Sequence, residues 1–321
     1  KRRYAHSTHA VPGSVQLLAT LVSGHRGNVF HVTPSEPGRV LSCAADGFLR
    51  LSDMVSEVSS VVVNPHDDTE DSWSFGRGMA FSHQMLTRNT GLLCSERGLH
   101  HFDLRLSPRE QSSGSLLRNE DEESAHTFCK ACAVWPPQNS KNFDTEPTMI
   151  FVGGSTPVVE LLDLRMDGSR RNVLQRYRPR WVPENGRLSV SGLDVSKNGR
   201  ELLVSYESDQ IYSFPIFPEC STRPNLDEID AMSTRFVPPE EFLPEMACYG
   251  GHLNRFTFLK NAKYAGPNDE YVTTGSDSGN AWIYERKTGT VVSLLSADTS
   301  TCNGIIPHPS LPVFVTYGID S

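Results

Sequence analysis

Residues 271–296 read YVTTGSDSGNAWIYERKTGTVVSLLS, and this stretch decides the fold. Two runs of β-branched and aromatic residues, 271–274 and 280–285, flank the turn 276–279. Asp, Ser and Gly between two such runs are typical of a β-hairpin, because the backbone reverses there and one residue takes a positive φ. A third run follows at 290–295. The stretch therefore predicts three or four short antiparallel strands.

The same unit recurs along the chain at a period of roughly 40 to 50 residues, which is typical of a β-propeller. Each copy contains a strand that ends in small residues, a tight turn, and a strand that ends near an acidic residue. Gly251 and His252 open the copy quoted above, and Gly24 and His25 open the first. Five complete units are visible, with partial units at both ends. They cover residues 24–53, 78–105, 128–165, 188–214 and 251–295.

The repeats resemble the WD-repeat β-propeller. Residues 201–214, 251–252 and 303–313 resemble the fifth, sixth and seventh repeats of one subfamily, the cullin-4-associated substrate receptors of the DCAF eight and WD-and-tetratricopeptide type. The resemblance covers most of residues 17–320 and implies an all-β, seven-bladed, non-catalytic propeller. Because propellers protect their sheet edges by closing the ring, we expect closure to come from residues outside this sequence or from a partner.

The domain organisation follows from the repeats. We expect residues 1–14 to be a tail or the remnant of a preceding blade, and residues 15–321 to be the propeller. Two irregular insertions, 107–125 and 215–249, are longer than a compact domain needs. Each is therefore either mobile or a docking element.

Composition restricts the class of protein. A formal net charge of −8 over 321 residues argues against general nucleic-acid binding, which needs a surplus of Lys and Arg. No window approaches the ~18 apolar residues that span a membrane, and the first residues do not resemble a signal peptide. Seven scattered cysteines form no disulfide framework, which favours a reducing cytoplasm or nucleus.

Motifs for catalysis or metal binding are missing from the sequence. There is no Gly-rich phosphate loop, nucleophile elbow or zinc-protease motif. Cys129 and Cys132 lie three residues apart in a predicted strand, so we expect their thiols to point to opposite sides and to hold no metal. These observations predict a protein that is not an enzyme and needs no cofactor.

The resemblance implies a structural hydrogen-bond network in the first unit. In WD repeats a His, a Ser or Thr, a turn Asp and a Trp form a bonded chain. His25, Ser42 and Asp46 match three of these positions, while Ser52 stands where Trp is usual. We expect His25 and Asp46 to be hydrogen-bonded to each other.

The last complete unit has a related set of residues. His252 and Thr274 take the corresponding positions. We expect His252 to bond a turn acceptor near Asp277 or Ser278.

Two third strands end in the same motif, Asp103-Leu104-Arg105 and Asp163-Leu164-Arg165. In the family that the chain resembles, Arg at this position contacts the triple-propeller adaptor of the ligase from the bottom face. The resemblance therefore makes these Asp and Arg residues candidate partner-binding residues. The alternative is an Asp–Arg pair within each blade that anchors the turn. Phe102 and Leu162 replace the usual Trp.

A local basic segment interrupts the acidic chain. It is a candidate patch for an acidic partner, and the alternative is a solvated loop. Its arginines are Arg165, Arg170, Arg171, Arg176, Arg178 and Arg180.

Two functions remain open at this point. The first is a substrate receptor of a cullin-4 RING ubiquitin ligase, with an adaptor propeller protein and a substrate as partners. The second is a structural scaffold in a large cytoskeletal or ribonucleoprotein assembly.

Overall fold

The computed structural model describes residues 20–64, 78–111, 128–135, 147–165, 173–182, 187–217, 242–257, 260–308, 311 and 313–319. The regular secondary structure in this part of the chain consists of β-strands. In the same residues no helix is long and apolar enough to cross a membrane.

Most strands form five antiparallel sheets, which we call blades 1 to 5 in chain order. Blade 1 contains β1 (Val29–Glu36), β2 (Arg39–Ala44), β3 (Leu49–Asp53) and β4 (Ser59–Val63). Blade 2 contains β5 (Ala80–Met85), β6 (Thr90–Ser95) and β7 (Gly98–Asp103). Blade 3 contains β8 (Cys129–Trp135), β9 (Met149–Gly154), β10 (Val159–Asp163) and β11 (Val173–Tyr177).

The remaining strands complete the arrangement. Blade 4 contains β12 (Val190–Val195), β13 (Glu201–Tyr206) and β14 (Ile211–Pro215), then, after β15 (Phe242–Leu243), its fourth strand β16 (Ala247–Tyr249). Blade 5 contains β17 (Lys263–Ala265), β18 (Tyr271–Thr274), β19 (Asn280–Glu285) and β20 (Val291–Ser296). A two-stranded sheet follows, β21 (Cys302–Pro307) and β22 (Phe314–Gly318).

The blades are arranged as a β-propeller. The first strands of successive sheets, β1, β5, β8, β12, β17 and β21, pack against one another in that order. They surround a cavity of about 100 Å³. Because neighbouring blades cover both faces of each sheet, interior strands lose the alternation of polar and apolar residues. All six residues of β6 are buried, for example. The fold thus confirms the all-β propeller with five blades and further strands.

The second insertion is partly docked. Its described end, residues 242–249, supplies β15, which adds in parallel to the outer edge of β11. Three residues later β16 pairs with β14 as the fourth strand of blade 4. This segment therefore joins blades 3 and 4. Residues 1–14, 112–125 and 218–241, on which other predictions fell, lie outside the described residues.

The prediction that Cys129 and Cys132 point apart is wrong. Cys129 pairs with Gly154 and Ala131 with Gly153, so a β-bulge lies between them. A bulge inserts one residue and reverses the parity of side chains beyond it. Cys129 belongs to the buried apolar cluster that contains Cys94, and Cys132 packs against the same cluster, so both side chains lie on the same side of the strand.

Candidate functional site: the arginine face

The candidate interaction surface is the face of the propeller on which the third strand of each blade ends, called the arginine face below. In blade 2, β7 ends at Asp103, and in blade 3, β10 ends at Asp163. The two blades are neighbours, because β5 packs against β8. Both third strands occupy the same position in an antiparallel meander, so Arg105 and Arg165 emerge on one face.

Arg105 forms a two-pronged pair with Asp103. Its Nε lies 2.9 Å from Oδ1 and its Nη2 lies 2.5 Å from Oδ2. The backbone N–H of Arg105 also donates to Oδ1, at 2.9 Å. The side-chain hydrogen bond from Arg105 holds the pKa of Asp103 below its usual value. Arg105 nevertheless keeps 66% of its side-chain surface exposed.

Arg165 repeats this geometry in blade 3. Its Nε lies 3.1 Å from Oδ1 of Asp163 and its Nη2 lies 2.8 Å from Oδ2. The Asp163 side chain is 2% exposed and that of Arg165 is 42% exposed. Burial alone raises the pKa of Asp163, but the hydrogen bonds from Arg165 outweigh it and the net pKa is lowered.

These pairs serve the turn as well as the surface. Each Asp accepts the backbone N–H two residues later and thereby fixes the turn that follows the strand. The alternative reading, a pair within each blade, therefore describes the isolated chain correctly. Since each guanidinium is also held in one orientation and exposed, the pair presents a pre-oriented donor surface to solvent.

Blade 1 ends its third strand differently. Asp53 accepts the backbone N–H groups of Val55 and Ser56, at 2.9 and 3.0 Å, and its Oδ2 lies 3.4 Å from Nε of Arg39 on the neighbouring strand, so no arginine of the turn itself is involved. Val55, in the place of the arginine, is 90% exposed. Leu106, beside Arg105, is 43% exposed. Apolar side chains therefore lie on the arginine face, a signal that the sequence analysis missed.

The hydrogen-bonded chain expected in blade 1 is present. His25 Nδ1 lies 3.0 Å from Oδ1 of Asp46, and its Nε2 lies 3.0 Å from Oγ of Ser42. Asp46 also accepts the backbone N–H of Arg26, at 2.8 Å. Burial alone would raise the pKa of Asp46. The hydrogen bonds from Arg26 and His25 have the larger combined effect, so the pKa of Asp46 is lowered.

The prediction for His252 is wrong. Its Nδ1 lies 3.2 Å from the Tyr284 hydroxyl rather than near Asp277 or Ser278. Tyr284 occupies the position that Ser52 holds in blade 1, and its long side chain reaches the histidine. Thr274 Oγ1 makes no hydrogen bond to the described residues, so this side chain does not join the network.

Asp277 has a different partner, Lys260, which the sequence analysis missed. The two form a buried ion pair, with both side chains at most 1% exposed. The backbone N–H groups of Arg255 and Phe256 also donate to Asp277. Burial lowers the pKa of Lys260, whereas Asp277 opposes that shift. The sequence around Lys260 does not indicate that its partner is Asp277.

Two arginine side chains in the described part of the basic segment have partners within the chain, and the patch for an acidic partner stays a prediction. Arg176 Nε lies 3.1 Å from Oε1 of Glu160. The guanidinium of Arg178 lies over the ring of Phe242, 4.1 Å from its centroid, and the backbone of Arg180 donates to Glu245. Arg176 and Arg178 thus hold the outer edge of blade 3. Arg170 and Arg171 lie outside the described residues.

Among the residues that the structure describes, no group of three or more His, Cys, Asp or Glu side chains is arranged to hold a metal ion.

Known proteins resemble short stretches of this chain. No family model matches the chain. A stretch of 72 residues is 42% identical to WD and tetratricopeptide repeats protein 1 of Homo sapiens and covers 22% of this chain and 11% of that protein. A stretch of 98 residues is 36% identical to DDB1- and CUL4-associated factor 6 of Homo sapiens. It covers 30% of this chain and 10% of that protein. The matches therefore span only about a tenth of these relatives.

The fold comparison covers most of the chain. The β-propeller domain of Cps50 (Swd1) of Myceliophteria thermophila matches with a TM-score of 0.59 at 14% identity, over 91% of this chain and 81% of that one. The chain therefore has the β-propeller fold. Its sequence relatives include WD-repeat proteins, one of which is named as a factor associated with DDB1 and CUL4.

Proposed function

We propose that this propeller is a non-catalytic substrate receptor of a cullin-4 RING ubiquitin ligase and that the arginine face binds the ligase adaptor. The observation that carries the proposal is the pair of equivalent Asp–x–Arg ends on blades 2 and 3, each with its guanidinium exposed and oriented by a buried or nearly buried carboxylate. The similarity to DDB1- and CUL4-associated factor 6 supports it.

The chemistry of the face suits a protein partner. Arginine is enriched in protein interfaces, where its planar group binds carbonyl or carboxylate acceptors on the other chain. Val55 and Leu106 add exposed apolar surface on the same side. A partner with acceptors spaced for two arginines and apolar side chains between them would bury both kinds of surface.

The test is capture of DDB1 by the full protein, compared with the double variant Arg105→Ala and Arg165→Ala. We expect the variant to bind roughly tenfold or more weakly, because each lost arginine leaves an acceptor of the partner unpaired. Circular dichroism should show that the variant keeps its fold, whereas its urea midpoint should fall, because Asp163 is buried and loses its guanidinium partner.

The matched control is Arg26→Ala with Arg255→Ala. These exposed arginines precede first strands and lie on the opposite face, and the control removes the same charge. It should capture DDB1 normally. If the control weakens capture equally, net charge and not the arginine face is responsible. If the wild-type protein captures no adaptor, the structural scaffold becomes the better hypothesis.

A further inference from the structure

Three cysteines meet between blades 2 and 3, and we call them the thiol cluster: Cys94 on β6 and Cys129 and Cys132 on β8. Cys94 and Cys129 belong to one buried apolar cluster, and Cys132 packs against it. All three are free thiols. The bulge at β8 brings two thiols of one strand to the same neighbour.

Cys132 gives this cluster access to solvent. It is partly exposed and lines the central cavity together with His31, His83 and Lys130. The cavity of about 100 Å³ exceeds the ~10–15 Å³ that one water needs, so a molecule as small as hydrogen peroxide fits. Cys94 and Cys129, which are 0% and 5% exposed, are shielded from larger reagents.

The cluster also favours a thiolate. Burial alone raises the pKa of Cys94, but hydrogen bonds from Cys129, Cys132 and Ser82 outweigh it and lower the pKa. The bond to Cys94, together with burial, raises the pKa of Cys132. The three thiols therefore lose one proton as a coupled group, and the negative charge lies on Cys94. A thiolate next to an accessible thiol is the arrangement found in redox-sensitive sites.

We propose that the thiol cluster is an oxidation site at which peroxide joins Cys94 and Cys132 in a disulfide between blades 2 and 3. The Cys132 thiol passes its proton to the Cys94 thiolate and its sulfur attacks the peroxide, so an S–O bond forms and the O–O bond breaks; the hydroxide that leaves takes the proton back from Cys94 and departs as water. The Cys94 thiolate then attacks the sulfenic acid of Cys132. The S–S bond forms, the S–O bond breaks, and hydroxide leaves and takes up a proton as the second water.

A peptide map tests this pairing directly. The full protein is treated with a small molar excess of hydrogen peroxide, alkylated after denaturation and digested with trypsin. Because trypsin cuts after Lys130, Cys129 and Cys132 fall in separate peptides, 119–130 and 131–141, while Cys94 lies in 89–97. We expect a dithiothreitol-sensitive link between 89–97 and 131–141, about 2 Da lighter than the two peptides together.

Variants separate the cluster from general oxidation. Cys132→Ser should leave Cys94 fully alkylatable, whereas Cys248→Ser, which removes an exposed cysteine outside the cluster, should keep the link. Buried Cys302 should stay reduced throughout. A link to 119–130, oxidation confined to Cys248, or no link at all would overturn the proposal. The wild-type map decides even if the Cys132 variant fails to fold.

Discussion

Blades 1 and 5 begin with the same dipeptide, Gly-His, yet they use the histidine in different ways. In blade 1, His25 bridges Ser42 and Asp46. In blade 5, His252 contacts Tyr284, and the turn carboxylate pairs with Lys260. The same start of a repeat therefore leads to two different buried polar networks.

One side chain explains much of the difference. The Tyr284 hydroxyl lies 3.1 Å from the carbonyl of Gly250 and 3.2 Å from Nδ1 of His252, so Tyr284 replaces the turn as the hydrogen-bond partner of the histidine. Ser52, at the same position in blade 1, is too short to do so. A buried carboxylate must be compensated, and with His252 occupied, Lys260 provides the charge. The residue near the end of the third strand, Ser52 or Tyr284, thus determines which polar network forms.

The largest effect is expected at the ion pair. Lys260→Ala leaves the Asp277 carboxylate buried without its cation, which typically costs about 3–5 kcal/mol of unfolding free energy. Urea unfolding at neutral pH measures it. The double variant Lys260→Met and Asp277→Asn should lose much less than the sum of the single changes, because it removes both charges. Additive losses would show that the two residues do not depend on each other.

The next effect is a pH dependence specific to blade 5. Burial, then the charge of Lys260, lowers the pKa of His252 from its ordinary value of about 6.5 to about 4, while Asp277 opposes the shift. Between pH 6.5 and pH 4, His252 is protonated in the unfolded chain but neutral in the folded chain. The unfolding free energy therefore falls as the pH drops from about 6.5 to 4. The loss is at most about 3 kcal/mol.

Comparison with His252→Gln isolates this contribution. His31 and His83, whose pKa values are also lowered by burial, remain in both proteins and cancel in the difference. Unfolding free energies at several pH values between 4 and 7 should therefore converge as the pH falls. A constant difference between the two proteins would show that His252 does not titrate in this range.

The fold was largely predictable from sequence because its determinants are local. The turns of blades 1 and 5 place Gly47 and Gly279 at φ values of 81° and 76°, the positive range that the Asp-Gly and Ser-Gly pairs indicate. The Asp103 and Arg105 pair is also local, two residues apart. Such features depend on spacing alone.

What could not be predicted depends on contacts between distant residues. Lys260 meets Asp277 across 17 positions, and β15 adds to β11 from a segment that follows the first three strands of blade 4. The thiol cluster required a bulge whose position the sequence does not mark. In each case one residue or one register shift decides which partner is reached.

A moderate effect is expected for the histidine of blade 1. His25→Ala removes the partner of Asp46 and Ser42 and should lower the unfolding free energy by about 1–3 kcal/mol. The measurement is the urea midpoint at neutral pH. His25→Gln, which can still bond one of the two partners, serves as the matched control and should lose less. An unchanged midpoint for the alanine variant would show that the network adds nothing to stability.

The smallest effect is expected at the position where blades 1 and 5 differ, which is Ser52 in blade 1 and Tyr284 in blade 5. Ser52 is 3% exposed and its hydroxyl makes no hydrogen bond to the described residues. Ser52→Ala should therefore change the unfolding free energy by less than about 0.5 kcal/mol, or stabilise slightly, because it removes a buried polar group. Tyr284→Phe removes a hydroxyl with two partners and should cost about 1–3 kcal/mol. Equal losses for the two variants, measured under the same urea conditions, would mean that the hydroxyl of Tyr284 does not hold His252 in place.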